Sequence, residues 1–116
     1  MKALETPFTG GVPAVFVHVS DLKKSVEWYS KLLGKEKPEY IRNDIHIFGL
    51  DSGANIFLIH TEKPKPTTQV LCSLPAPDLE KTRAFFELNH IEYENMNEET
   101  IHFKDLDGNV IMACSI

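Results

Sequence analysis

The chain lacks most of the features that would tie it to a special environment. No apolar run approaches the ~20 residues needed to span a bilayer, and no basic-then-apolar segment opens the chain. Neither a membrane span nor a secretory leader is therefore expected. Basic residues are in deficit: 12 Lys and Arg against 17 Asp and Glu leave a formal net charge of −5. That balance argues against nucleic acid or an anionic membrane as partner. Cysteine is scarce. Cys72 and Cys114 sit in apolar, strand-like runs, which suits buried reduced thiols in a cytoplasmic protein better than a disulfide. A Gly-rich phosphate loop is missing, as is any Ser-His-Asp or Cys-His spacing. What remains is the balance of a soluble globular domain, 42% hydrophobic and 25% charged.

One pattern occurs twice. VHVSDLKKSVEWY (17–29) runs from an apolar strand through Ser20-Asp21 into an amphipathic segment, and VLCSLPAPDLEKTRAFF (70–86) repeats it. Asp21 and Asp78 stand 57 positions apart, and Leu22/Leu79, Lys24/Lys81, Trp28/Phe85 and Tyr29/Phe86 keep that offset. Two copies of one module are implied, sharing a core because neither half could bury enough alone.

Residues 1–13 carry Pro7, Gly10, Gly11 and Pro13 and read as a loose arm or an early edge segment. Ala14 to Val19 reads as a strand. Ser20 or Asp21 can cap the helix that follows, Leu22, Val26, Tyr29 and Leu33 form its apolar face, and Gly34 supplies the left-handed stop. Strands are expected over Glu39–Arg42, Ile45–Leu50 and Asn55–His60, with turns at Asn43-Asp44 and Asp51-Ser52-Gly53. The proline-bearing segment 62–68 is the linker. In the second module Gln69–Leu74 is a strand and Asp78–Leu88 a helix stopped at Asn89. Glu92–Asn95, Thr100–Lys104 and Asn109–Cys114 are strands. The turn DLDGN (105–109) matches DSGAN (51–55). Ile45-His46 and Ile101-His102 align at an offset of 56, and Gly53 with Gly108 at 55. The chain therefore reads as one α+β domain of tandem β-α-β-β-β modules, about 12–61 and 69–116.

VSDLKKSVEWYSKLLG (19–34) and FKDLDGNVIMA (103–113) resemble the glyoxalase / bleomycin-resistance / extradiol-dioxygenase superfamily, also called vicinal oxygen chelate proteins. The second segment is similar to that family's aromatic-x-Asp-x-Asp-Gly-Asn signature, and the resemblance covers about residues 12–116. It implies curved mixed sheets around a cavity, with helices outside. It also implies a homodimer, with cavities completed across or beside the interface. Metal-dependent members place a His seven residues before each helix-opening Asp and a Glu, or another polar ligand, four residues after each turn Gly. Those positions here are Ala14, Leu71, Phe57 and Met112. Ala, Leu and Phe carry no donor, and the Met thioether is a poor ligand for hard or borderline ions. No metal and no other cofactor is expected.

Strand parity puts Phe16 and His18 on the cavity side with Ala14, and the family template adds Phe57 and Met112. Plain core filling is the alternative for the apolar three. His18 reads either as a histidine bonded to a neighbour or as a polar contact to a ligand. Tyr40 and Arg42, two apart on the expected second strand, would face one side, where Arg could hold a carboxylate or phosphate. A surface Arg is the alternative. His46 and His102 occupy matching places in the two modules, as solvated residues or, if brought together, as ligands of a shared metal. The expected function is metal-free binding of a small molecule in an apolar, aromatic-lined cavity. The alternative is a glyoxalase-like or dioxygenase-related enzyme with a non-standard site, in which His18 acts as acid or base.

Overall fold

A computed structural model describes residues 5, 7–9, 11–51 and 53–116. Of the amino-terminal arm, residues 1–4, 6 and 10 lie outside that set, as does Ser52 of the first expected turn. The order is β1 (Ala14–Val19), α1 (Leu22–Leu33), β2 (Ile45–Phe48), β3 (Asn55–His60), β4 (Cys72–Pro75), α2 (Leu79–Leu88), β5 (Tyr93–Asn95), β6 (Thr100–Lys104) and β7 (Val110–Cys114). No helix among the described residues is long and apolar enough to cross a membrane.

Both helices begin where an Asp can take an orphan amide. Asp21 accepts from the Lys24 N–H, and Asp78 from those of Glu80 and Lys81. Helix α1 ends at Gly34, whose φ of 67° lets its N–H turn back onto the carbonyls of Lys31 and Ser30. Helix α2 stops at Asn89, as expected, but without a left-handed cap at that residue. Asn89 stays at φ −100° and ties its side-chain amide to the Phe85 carbonyl, and the left-handed residue is His90, at φ 55°.

The sheets are β1-β3-β2 and β4-β7-β6-β5. In each, the strand before the helix pairs in parallel with the last strand of its module. The expected strand Glu39–Arg42 does not form. Arg42 folds onto Asp44 through two 2.9 Å bonds, and Tyr40 stands 78% exposed. Module one is therefore β-α-β-β, while module two is the full β-α-β-β-β. Strand β4 starts at Cys72 rather than Gln69, and β5 and β7 each start one residue later than expected.

One face of each sheet meets the helices. Val17, Val19, Phe48 and Leu58 join Leu22, Val26 and Tyr29, and Ile101, Phe103, Ile111 and Ala113 join Leu79 and Phe86, in one continuous core. Facing registers correct the module alignment. Phe48 pairs with Ile56 as Phe103 pairs with Ile111, so the matching offset is 55. His46 thus corresponds to Ile101, not His102. It lies on the helix-side face, its ring 4.7 Å from Phe48, where burial lowers its pKa. His102, between buried Ile101 and Phe103, turns to the opposite face of the other sheet.

The DLDGN turn fastens the modules together. Asp105, 7% exposed, accepts from the Tyr29 hydroxyl at 2.6 Å, from the backbone N–H groups of Asp107 and Asn109, and from the Asn109 amide. Asp107 accepts from the Ser20 N–H and hydroxyl at the β1–α1 junction. Asn109 donates to the His18 carbonyl and accepts from the Thr67 N–H in the linker. Gly108 holds φ 89°, and a Cβ there would meet Pro66 at 3.4 Å.

Candidate functional site

The face of the first sheet turned away from α1 is apolar and open. Register sets three side chains in a row across it, Phe16 on β1, Phe57 on β3 and Ile47 on β2. A second row holds His18, Ile59 and Ile45. Phe16 and Ile47 remain 54% and 51% exposed, His18 is exposed as well, and Phe57, Ile59 and Ile45 are half-buried. The rings of Phe16 and Phe57 meet edge to face, with centroids 5.2 Å apart. These strands are apolar on both faces, because IHIF and NIFLIH fill the core with alternate residues and leave the rest outside. A sheet whose second face met only water would alternate with polar residues there.

His18 stands at the end of this face. Its Nδ1 lies 2.9 Å from the Thr61 hydroxyl, which in turn reaches the Ile59 carbonyl at 3.4 Å. Of the other residues expected at a site, Met112 lies on β7, in a row of the second sheet with Ser73 and His102. Tyr40 and Arg42 lie in the loop before β2, and the guanidinium fork is already taken by Asp44, whose carboxyl it holds below the usual range. The structure thus brings together Phe16, His18 and Phe57, and places Tyr40, Arg42 and Met112 on other elements. Ile45, Ile47, Ile59 and Thr61 complete the face. The isoleucines flanking His46 in β2 were the sequence signal for the first two.

In the single chain this is a surface, not an enclosed cavity. A separate cleft of about 270 Å³ lies where the modules meet, lined by Val15, Leu50, Ile56, Cys72 and Leu74, among others. Burial, and then the nearby Asp105, raise the Cys72 pKa. Cys72 and Cys114 are both free thiols.

The metal of the resembled family finds no donors here. Ala14 pairs with Asn55, Phe57 lies between Phe16 and Ile47, Leu71 is packed against the core, and Met112 pairs with Ser73. Among the described residues no three His, Cys, Asp or Glu side chains are grouped so that they could hold an ion. The residues present do not fit the metal.

No protein-family model matches the sequence, and no curated protein matches it significantly. Solved structures do match. A glyoxalase/dioxygenase from Nostoc punctiforme superposes with a TM-score of 0.72 at 16% identity, covering 97% of this chain and 96% of that one. A glyoxalase/bleomycin resistance protein from Catenulispora acidiphila gives 0.66 at 18% identity, over 92% and 99%. A glyoxalase/bleomycin resistance protein/dioxygenase superfamily member from Sphaerobacter thermophilus gives 0.68 at 17%, over 90% and 96%. The fold is that of this superfamily, α+β with two mixed sheets. A shared fold does not by itself carry a shared function.

Proposed function

We propose that the chain binds a small, partly aromatic molecule on the open face of the first sheet, without a metal ion, and that a second copy of the chain closes that face. The observation that carries this is the row Phe16–Phe57–Ile47, an aromatic and aliphatic surface left uncovered in one chain. Contiguous exposed apolar surface marks a binding site, and stacking on aromatic edges and faces requires no metal. Open sheet edges at β1 and β2 give a second copy a further reason to dock. Reduced thiols at Cys72 and Cys114 suit a cytoplasmic setting.

An enzymatic reading has to rest on His18. Its ring contacts a threonine hydroxyl, with no carboxylate among the described residues bonded to it, so the arrangement favours binding over acid–base chemistry. The test is a thermal-shift screen of naphthalene-, indole- and quinone-type compounds on the whole chain, with and without added divalent ions, alongside light scattering. Stabilisation by at least one aromatic class, independent of added ions, in a protein of two-chain mass supports the reading. Stabilisation only after metal addition, or by none of these classes, overturns it.

A further inference from the structure

We propose that His18 presents a bare Nε2 to the occupant of this face, so that the ligand is an aromatic molecule bearing an O–H or N–H donor at one edge. The inference rests on the apolar-face reading above and adds the polar half of the ligand's chemistry.

A neutral imidazole has one N–H and one bare nitrogen, and whichever bond the first makes decides the second. The Thr61 hydroxyl has a proton and lone pairs. In the proposed arrangement its proton goes to the Ile59 carbonyl at 3.4 Å and its oxygen receives the Nδ1–H of His18 at 2.9 Å. That arrangement leaves Nε2 unprotonated, across the ring from Nδ1. No other bond among the described residues reaches the ring.

Both partners are anchored through their backbones. The Thr61 N–H bonds the Val19 carbonyl at 2.9 Å, the parallel register sets His18 opposite Ile59, and the Asn109 amide holds the His18 carbonyl. The acceptor is therefore preorganised beside Phe16 and Phe57 rather than carried on a wandering side chain. Once a ligand excludes water from it, an acceptor left without a donor is penalised, so the site selects for ligands that supply one.

The test compares 2-naphthol with 2-methoxynaphthalene, which keeps the ring system and loses the donor. Affinities are measured by calorimetry on the whole chain for wild type, His18→Phe and Thr61→Val. His18 is exposed, and Phe should leave the fold intact. The expected result is an affinity ratio favouring the naphthol that falls about fivefold in His18→Phe, the size of one net hydrogen bond, while the ether binds as before. Thr61→Val should lower the ratio in part. Nitrogen NMR of the ring should show wild-type Nε2 as the bare nitrogen and a tautomer mixture in Thr61→Val. An unchanged ratio in His18→Phe overturns the anchor and leaves the apolar-face reading standing. Failure of both compounds to bind the wild type overturns that reading as well.

Discussion

The phenol of Tyr29 on α1 donates a 2.6 Å hydrogen bond to Asp105, 76 residues further along the chain and in the other module. Burial first, then the charge and the bond of Asp105, raise the tyrosine pKa far above its ordinary value of 10. The DLDGN turn is therefore a fastening between modules, and its carboxylates are spent on structure.

Tyr29→Phe should lower unfolding free energy by about 1–3 kcal/mol, since it leaves a buried carboxylate oxygen with one bond fewer. Urea titration measures this. The pH dependence follows from the raised pKa. The folded state holds the proton above pH ~10, where the unfolded state releases it. Wild-type stability is thus fully present below that point and falls as pH rises beyond it. The variant should lack that part of the alkaline slope.

Asn109 joins three segments: β1 through the His18 carbonyl, the linker through Thr67, and its own turn through Asp105. Asn109→Asp replaces the amide that donates to Asp105 at 2.9 Å with a second carboxylate. It should destabilise by about 3 kcal/mol or more at neutral pH, more than Asn109→Ala, because it buries like charges together. The gap between the two variants should narrow on acidification, as read by thermal melts across pH.

Ser30 lies buried on α1 with a hydroxyl that has no hydrogen-bond partner among the described residues. Ser30→Ala removes an unsatisfied group and raises helix propensity, so stability should rise by up to about 1 kcal/mol. Urea unfolding of the variant measures it.

Phe16 contributes little to the single chain's core, being 54% exposed. Phe16→Ser should change the unfolding of an isolated chain by under about 1 kcal/mol, yet shift light-scattering mass toward one chain and weaken aromatic ligands. Loss of stability without change of mass would place Phe16 in the core instead.

The local grammar of this fold was legible because it depends on near neighbours. Asp21, Asp78 and Gly34 act where cap chemistry places them. The strand expected at Glu39–Arg42 was not legible as a loop, because its fate turned on Arg42 finding Asp44 two residues away rather than a partner strand. The offset of 56 linking His46 to His102 came from identical dipeptides, and only the pairing of Phe48 and Phe103 with their partners shows that these face opposite ways. For the candidate site, parity correctly grouped Phe16 with His18. Ile47, Ile59 and Thr61 joined them through sheet register, which a single strand's sequence does not carry.

The central claim is metal-free recognition of an aromatic molecule on the first sheet. Calorimetric titration of chelator-treated protein with 2-naphthol tests it most directly. The account predicts saturable binding that is unaltered by added divalent ions, because Ala14, Phe57, Leu71 and Met112 offer no ligand set. It also predicts that Phe57→Lys, which puts a charge at the centre of the Phe16–Phe57–Ile47 row, abolishes that binding. Binding that appears only after an ion is restored, or that survives Phe57→Lys undiminished, would contradict it.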